Sequence, residues 1–354
     1  MTRYSALFRT SVVSLGVIAL SATGALAQED GPPEEVTEWV FQPAFDQSDA
    51  GWANGLIPWV AAVEEATEGT VKIRVEPAGA LISGSEAFGA AAAGMTDGYA
   101  GWATVYGGSM PEGMLAYGLP MGASGSEEAW EVMWGNPDYR IGDLVQEAAH
   151  EHNLHWAGWT NQGPNAMFTK FPVNRMEDLA GTKMRAGGPQ AIFHSAMGGS
   201  PVSLDAGDIY TAIRLGTIEG TYWDTGGIDD MSFQEVIDYA IMPGWNPAQH
   251  QEIYINLDSW NALTDWQREQ IEGIFESTYF ETSKMHADAV DEALEILKEA
   301  GGEVIEFSDE EVDRMREKTI SDVWPKIAEQ SDRNAKGVEI WRKFVDRDSE
   351  TSSE

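Results

Sequence analysis

Residues 172–188 read PVNRMEDLAGTKMRAGG, and residues 198–220 read GGSPVSLDAGDIYTAIRLGTIEG. The first stretch predicts a turn, a short helical start at EDLAG and a strand at TKMRA. The second predicts a short strand, a helix over 207–215 and a strand over 220–223. With a helix predicted over 190–197, strands and helices alternate. This alternation is typical of a sheet covered by helices in an α/β protein.

The same alternation precedes this region. Residues 39–45 predict a buried strand, and a helix follows over about 48–68. Residues 71–75 alternate between apolar and charged side chains, the period of a half-buried strand, and 97–106 predict another strand. Residues 259–344 are nearly all helical and acidic. The sequence therefore predicts an α/β fold with two αβ units and a long C-terminal helical region.

Charge and composition exclude several classes of protein. The 354 residues include 58 Asp and Glu but 22 Lys and Arg, which gives a net charge of −36. A nucleic-acid binder needs clustered basic residues, and an anionic membrane surface repels such a chain. Hydrophobic residues make up 43% of the chain, which is enough for a packed core. Because cysteine is absent, disulfides, thiol catalysis and cysteine-bound metals are excluded.

The N terminus predicts an exported protein. Arg3 and Arg9 precede an apolar run over 12–20, and an A-x-A site ends at Ala27. This pattern is that of a secretory signal peptide over residues 1–27, cleaved after Ala27, which predicts a periplasmic location. An uncleaved membrane anchor is the alternative, although the apolar run is short for a bilayer.

Catalytic motifs are missing from the sequence. It contains no HExxH, GxSxG, Walker loop or GxGxxG fingerprint, so we do not expect an enzyme. An exported hydrolase acting through an Asp/Glu pair is a remote alternative. His150, His152 and His155 could serve a metal chaperone, but residues two apart do not share a helical face, which favours packing roles. Asp229 and Asp230 are interpreted as a helix cap or a solvated face.

Arg185 is the most informative polar residue. It ends a predicted strand and precedes the Gly-rich loop 186–189. In α/β folds ligands bind where strands open onto such loops. A guanidinium there can hold a carboxylate through two parallel hydrogen bonds. The alternative is an ion pair between Arg185 and one of the many acids of the chain.

Aromatic residues also follow predicted strands, and aromatic walls around a polar group are common in small-molecule clefts. We expect Trp102 or Tyr106 to contact a ligand from the first unit, and Tyr222 and Trp223 from the second. Core packing is the alternative interpretation for most of these aromatic residues.

The pattern PV…DL.G.K.R, followed by G..PV.L…..Y.A...G.I.G, resembles the solute-binding proteins of TRAP transporters of the DctP type. Order and spacing hold across 172–220. The stretch YWDTGGIDDMSFQEVIDYAIMPGW, residues 222–245, resembles the branch that binds 2-oxo or 2-hydroxy monocarboxylates, sometimes with a metal ion.

The resemblance implies a two-lobed periplasmic binding protein, a Venus-flytrap fold with crossing strands. Lobe I would comprise 36–161 and 252–291, and lobe II would comprise 162–251 and 292–345. The protein would capture a small organic acid and deliver it to a TRAP membrane permease. The alternative is a protein of the same architecture that binds a neutral polyol, a sugar or a zwitterion.

The resemblance also implies roles for single residues. Arg185 would hold the ligand carboxylate, Gln162 and Asn165 would face the cleft, and Trp223 would line it. Asp224 would accept a hydrogen bond from a ligand hydroxyl. Many relatives carry a second arginine near the position of Asn165, so a monocarboxylate is favoured over a dicarboxylate.

Metal-binding members of the family carry an acid just before the tryptophan, where this chain has Tyr222. They carry another acid soon after Pro-Gly-Trp, where this chain has residues such as Gln249. A calcium or sodium ion accompanying the ligand would then be held by Gln162, Trp223, Asp224 and Gln249.

Overall fold

The computed structural model describes residues 31–136 and 140–351. The predicted signal peptide lies outside these described residues. The described strands are β1 (Thr37–Phe41), β2 (Val71–Val75), β3 (Gly98–Gly101), β4 (Leu154–Asn161), β5 (Asn165–Thr169), β6 (Lys183–Arg185), β7 (Ser200–Val202), β8 (Gly220–Asp224), β9 (Tyr239–Asn246), β10 (His250–Asn256) and β11 (Glu303–Glu306).

The described α-helices are α1 (Ile57–Ala66), α2 (Ala87–Ala92), α3 (Ala103–Tyr106), α4 (Gly113–Tyr117), α5 (Ser126–Trp130), α6 (Ile141–Glu151), α7 (Pro189–Ala196), α8 (Ala206–Arg214), α9 (Gly227–Asp230), α10 (Leu257–Asn261), α11 (Asp265–Gly273), α12 (Phe275–Glu299), α13 (Asp309–Asp322), α14 (Trp324–Ala328) and α15 (Asp332–Thr351). A π-helical turn, Trp52–Leu56, leads into α1.

Sheet A has the strand order β2-β1-β3-β10-β4. β1 is parallel to β2 and β3, whereas β10 is antiparallel to β3 and β4. Trp59 and Val63, on the face of α1 that the sequence predicted to be apolar, pack with Phe41 and Ile253 of the sheet. We call sheet A and the helices packed on it lobe I.

Sheet B has the strand order β11-β9-β5-β8-β6-β7. β5 is antiparallel to β8 and β9, and β6 is parallel to β7 and β8. Phe168 of the sheet packs with Ile209 and Ile213 of α8 and with Phe233. Sheet B and its helices form lobe II, and the two sheets confirm the predicted α/β architecture.

The chain crosses between the sheets twice, near the predicted positions. β4 of sheet A leads into β5 of sheet B through residues 162–164, and β9 returns to β10 through 247–249. The two crossing segments are joined, because the Gln162 backbone N–H donates a hydrogen bond to the Gln249 carbonyl oxygen at 2.9 Å. The long helix α12 contacts β4 in lobe I and α9 in lobe II.

The C-terminal helices pack on their own chain. Trp324 and Trp341 are buried, and Trp324 Nε1 donates to the Pro120 carbonyl oxygen at 2.9 Å. Arg333 of α15 pairs with Glu151 of α6 at 2.6 Å. α15 thus contacts α6 of lobe I. The residue bounds given above for the two lobes remain a prediction. None of the described helices has the length and apolar character of a membrane-spanning segment.

Candidate functional site

Arg185 is the last residue of β6 and is held by three neighbours. Its Nε donates a hydrogen bond to the Leu204 carbonyl oxygen at 3.3 Å, and its Nη1 donates to Gln190 Oε1 at 3.2 Å. Its Cζ lies 5.1 Å from the centre of the Trp223 ring, which is a cation–π distance. The predicted pair of Arg185 and Trp223 is therefore in contact, and the guanidinium has a fixed orientation.

The positive charge of Arg185 has no carboxylate partner in the described part of the chain. No Asp or Glu there lies within 4.0 Å of the half-buried guanidinium. Burial lowers the pKa of Arg185, and Tyr117 and Asp205 act in the opposite direction. Because an arginine pKa lies above about 12, the side chain stays charged at neutral pH.

Arg185 lies where the two lobes meet. The loop after it brings Gly188 close to α3 of lobe I, since a Cβ added at Gly188 would lie 3.6 Å from Thr104 Cα. Trp102, which precedes α3, donates a hydrogen bond from Nε1 to Gln162 Oε1 on the crossing segment. The predicted residues Trp102 and Gln162 are therefore in contact with each other at the same junction of lobes.

A buried hydrogen-bonded network joins the lobes near Arg185. Tyr117 OH donates to Gln249 Oε1 at 2.6 Å, and Asn165 Nδ2 donates to the same oxygen at 2.7 Å. Trp245 Nε1 donates to Asn165 Oδ1 at 2.7 Å. Burial raises the pKa of Tyr117 and the charge of Arg185 opposes this, which indicates that the phenol is near the guanidinium. No sequence pattern had indicated Tyr117.

Three aspartates occupy another part of the junction. Asp49 belongs to the loop before α1 in lobe I, while Asp224 ends β8 and Asp230 ends α9 in lobe II. The Ala50 backbone N–H donates to Asp230 Oδ2 at 2.9 Å across the lobes. A Cβ added at Gly226 would lie 3.0 Å from Asp224 Oδ1 and 3.4 Å from Asp230 Oδ2. These carboxylates are therefore neighbours.

Burial and mutual repulsion disfavour the charged forms of these acids. Burial raises the pKa of Asp224 to about 7, and the charge of Asp230 adds to this. Asp230 is exposed overall, and the partial burial of its carboxyl group raises its pKa to about 6. The pKa of Asp49 is raised well above its ordinary value by burial and then by Asp224.

We expect Asp224 to make the protein less stable as the pH rises from about 4 to about 7. In this range the folded chain keeps a proton on Asp224 that the unfolded chain, with an ordinary pKa of 3.8, has lost. The folded state then binds more protons, so the free energy of unfolding falls with pH by about 1.4 kcal/mol per unit for one such proton.

Urea unfolding at several pH values measures this slope. Asp224→Asn is expected to give a shallower slope and higher stability near neutral pH. Asp291→Asn, which changes an exposed aspartate of α12, is the matched control and should keep the wild-type slope. Equal slopes for wild type and Asp224→Asn would contradict the buried position of this carboxyl group.

Tyr106 points into the interior of lobe I. β3 ends at Gly101 and the chain turns into α3, so Tyr106 does not lie at a strand end as the sequence predicted. Its ring stacks on Phe88 at 4.3 Å, and its OH lies 2.9 Å from the OH of Tyr254. The structure therefore does not bring Tyr106 together with Arg185.

Tyr222 points into the interior of lobe II. Its OH lies 2.8 Å from His194 Nδ1, and the residue is fully buried. Side chains alternate along a strand, so Trp223 contacts Arg185 while Tyr222 faces the other side of β8. Of the two predicted aromatic residues on β8, Trp223 is the one beside the guanidinium.

Two of the four predicted metal ligands, Gln162 and Gln249, have side-chain oxygens that accept hydrogen bonds within the protein. Gln249 Oε1 accepts hydrogen bonds from both Tyr117 and Asn165, which uses its two lone pairs, and Gln162 Oε1 accepts one from Trp102. Among the described residues no group of three or more His, Asp or Glu is arranged to hold a metal ion. The described residues thus bring no metal-binding cluster of acids to the predicted set of Gln162, Trp223, Asp224 and Gln249, and a calcium or sodium ion there stays a prediction.

Two of the three histidines between residues 150 and 155 have packing contacts. His155 stacks on Trp260 with ring centroids 3.8 Å apart, and burial lowers the pKa of His155 to about 3. His150 Nε2 lies 3.4 Å from His155 Nδ1. These contacts fit the packing role that the sequence favoured.

A separate cavity of about 510 Å³ lies in lobe I, at the edge strand β4. Its walls include Trp130, Trp134, Trp156 and Phe275. None of the residues predicted to bind the organic acid lines this cavity, although His155 does. This cavity is therefore separate from the junction of the lobes where Arg185 lies.

The protein has two lobes on separate sheets, and two crossing segments join them. An arginine without a carboxylate partner lies between the lobes. These features define the class of two-lobed solute-binding proteins. The chain matches the DctP family, bacterial extracellular solute-binding protein family 7, over residues 47–331. It belongs to this family of TRAP periplasmic solute-binding proteins. Members of the family are non-catalytic components of transport systems.

Relatives of known structure or name agree with this assignment. A monocarboxylate 2-oxoacid-binding periplasmic protein of Nostoc sp. is 25% identical over 308 residues, covering 83% of this chain and 82% of that protein. A TRAP transporter solute-binding protein from Bordetella bronchiseptica, with copurified calcium and picolinate, has a TM-score of 0.78 at 21% identity, covering 89% of this chain and 93% of that chain.

A TRAP solute-binding protein from Desulfovibrio salexigens, with bound orotic acid, has a TM-score of 0.77 at 19% identity and covers 88% of this chain and 99% of that chain. At these identities the solved structures establish the two-lobed fold of this chain. The acids they hold belong to those proteins.

Proposed function

We propose that this protein is the extracytoplasmic solute-binding component of a TRAP transporter and captures a small organic acid through Arg185. The unneutralised guanidinium between the lobes carries this proposal. A carboxylate placed there would accept two parallel charge-assisted hydrogen bonds and would restore the missing negative charge. The acid would be a 2-oxo or 2-hydroxy monocarboxylate.

Several observations support a monocarboxylate. Asn165, rather than a second arginine, is the first residue of β5 after the crossing segment, and its amide is already bonded to Gln249 and Trp245. Arg185 thus has no cationic companion there for a second carboxylate. The similarity to a protein named for 2-oxoacids points to the same class of ligand.

Binding would be coupled to the meeting of the lobes. Arg185 and Trp223 belong to lobe II, whereas Trp102 and Tyr117 belong to lobe I, so a ligand between them would contact both. A ligand favours the closed arrangement only if it interacts more strongly with that arrangement. The loaded protein would then deliver the acid to the membrane permease, after export and cleavage of the signal peptide following Ala27.

Calorimetry with matched ligands tests the proposal. Purified mature protein is titrated with lactate and pyruvate, and with their uncharged amides, lactamide and pyruvamide. We expect the acids to bind at least about 100-fold more tightly than the amides, because the amides cannot neutralise the guanidinium. Equal affinities, or preference for glycerol and glucose over the acids, would favour the neutral-solute alternative.

A further inference from the structure

The cavity of about 510 Å³ in lobe I lies apart from the junction that holds Arg185. Residues of α6, of the edge strand β4 and of the helices α11 and α12 line it. Its volume falls in the range of about 300–1,000 Å³ that small-molecule sites occupy. Large aromatic side chains form much of its wall: Trp130, Trp134, Trp156, Trp260 and Phe275. The cavity therefore has the size and the apolar lining of a ligand site.

Ring contacts hold the aromatic wall in place. The Trp134 ring centre lies 5.3 Å from that of Trp156 and 5.4 Å from that of Phe275. The ring centres of Trp130 and Phe275 are 5.8 Å apart. The Trp134 ring also rests on Gly142 of α6, because a Cβ added at Gly142 would overlap it. A ligand would thus meet a wall that is already ordered, which reduces the entropy lost on binding.

The charged side chains that line the cavity are mostly acidic. Asp143, Glu272 and Glu276, which we call the rim acids, are exposed and stand at its opening together with Arg140. Three negative charges thus face one positive charge, in a chain whose net charge is −36. His155 adds no positive charge at neutral pH, since burial lowers its pKa to about 3. Both the opening and the wider field of the protein favour a cation over an anion.

The aromatic wall favours the same sign of charge. The face of a tryptophan ring carries negative partial charge and attracts a cation within about 6 Å of the ring centre. The chain itself uses this attraction, because Arg140 Cζ lies 5.1 Å from the centre of the Trp134 ring. A metal ion does not fit, since no three acids among the described residues gather to hold one. An alkylated ammonium fits better, because it offers methyl groups to the rings and a positive charge to the rim acids.

We propose that this cavity is a second ligand site of the protein and takes a small organic cation of the quaternary ammonium type. The rings would contact the methyl groups of the cation, and the rim acids would compensate its charge. Arg140 would compete with the ligand for the face of Trp134. The site makes no use of Arg185, so it is independent of the acid that the proposed function places at the junction of the lobes.

Choline and 3,3-dimethyl-1-butanol test this proposal, because the second compound has the same shape with carbon in place of the charged nitrogen. The mature protein is titrated with each by calorimetry in about 0.5 M sodium chloride, where a Debye length of about 4 Å screens the general attraction of an acidic surface for cations. We expect choline to bind at least about 10-fold more tightly than its uncharged analogue. Equal affinities, or no binding of choline, would overturn the proposal and leave the proposed function untouched.

Lactate added at saturation should leave the affinity for choline unchanged, because the two ligands would occupy different sites. Competition between them would place choline at the junction of the lobes and would overturn the assignment to the cavity.

Variants of the rim acids locate the bound cation. The double variant Glu272→Gln and Glu276→Gln removes two charges at exposed positions, so the fold should survive and the affinity for choline should fall about 3-fold or more. The double variant Glu269→Gln and Glu281→Gln is the matched control, since it removes two exposed charges of the same helices outside the cavity. Equal affinities of the two double variants would contradict a cation bound at this opening.

Two single variants test the wall and the sign of the charge. Trp130→Leu removes one ring of the wall and should weaken choline binding about 3-fold or more, whereas Arg140→Ala removes the competing cation and should strengthen it about 2-fold or more. Weaker binding of choline by Arg140→Ala would overturn the proposal, because Arg140 would then assist the ligand. If Trp130→Leu does not fold, the rim variants decide the question alone.

Discussion

Replacement of Arg185 by alanine is expected to weaken binding of lactate and pyruvate by about 3–5 kcal/mol, which is a loss of at least 100-fold in affinity. The side chain is fixed by Leu204, Gln190 and the Trp223 ring, and its charge has no carboxylate partner in the described chain. A ligand carboxylate would lose both its counter-ion and its two hydrogen bonds. Isothermal titration calorimetry measures the loss.

Two controls separate this role from a general effect of charge. Arg185→Lys keeps the charge but loses the planar fork, so affinity should fall between those of the wild type and the alanine variant. Arg214→Ala removes an exposed arginine of α8 and should bind the acids as the wild type does. An Arg185→Ala variant that folds and still binds with wild-type affinity would remove this residue from the site.

The position of Arg185 was predictable because its signals are local. A strand pattern, an arginine and a Gly-rich loop follow each other in sequence, and the structure ends β6 at this arginine. The order of strands and helices was predictable for the same reason, since the period of apolar residues and the glycines near element ends act over a few residues. The crossing positions followed from the same element order.

The polar network beside Arg185 was not predictable from local patterns. Tyr117 and Gln249 are 132 positions apart, and their hydrogen bond exists because α4 of lobe I meets the second crossing segment. Such a contact depends on how the lobes are joined, which no short motif encodes. For Tyr106 the local pattern gave a wrong position. β3 ends at Gly101, a few residues earlier than the sequence predicted, so Tyr106 lies in α3 and packs in the core instead of at the junction.

The aspartates show how one residue type allows two interpretations. The sequence favoured a helix cap or a solvated face for Asp230, and the structure leaves this residue exposed; in addition, its carboxylate accepts a hydrogen bond from the Ala50 N–H of the other lobe. In a chain with 58 acidic residues, a few acids at a junction cannot be told from the solvated majority. Their separation from any basic side chain becomes visible only when both lobes are assembled.

Gly244, within the Pro-Gly-Trp stretch, is another residue whose importance comes from the junction. It lies in β9 with φ +81°, in the left-handed region that favours glycine. A Cβ there would overlap the Asn165 carbonyl oxygen and lie 2.8 Å from the Asn165 carbonyl carbon and 2.9 Å from Ala166 Cα. All three are backbone atoms at the start of β5, so they cannot move aside as a flexible side chain could.

Gly244→Ala is therefore expected to lower the free energy of unfolding by about 3 kcal/mol or more, because left-handed strain and overpacking against backbone add together. Gly181→Ala is the matched control, since Gly181 has φ +80° and open space around its Cβ position, and it should lose about 1 kcal/mol. Urea unfolding of both variants measures the difference. Because the clash falls on Asn165, Gly244→Ala should also disturb the Asn165–Gln249 hydrogen bond and weaken acid binding. Equal losses in the two variants would show that β9 and β5 do not approach so closely at the junction.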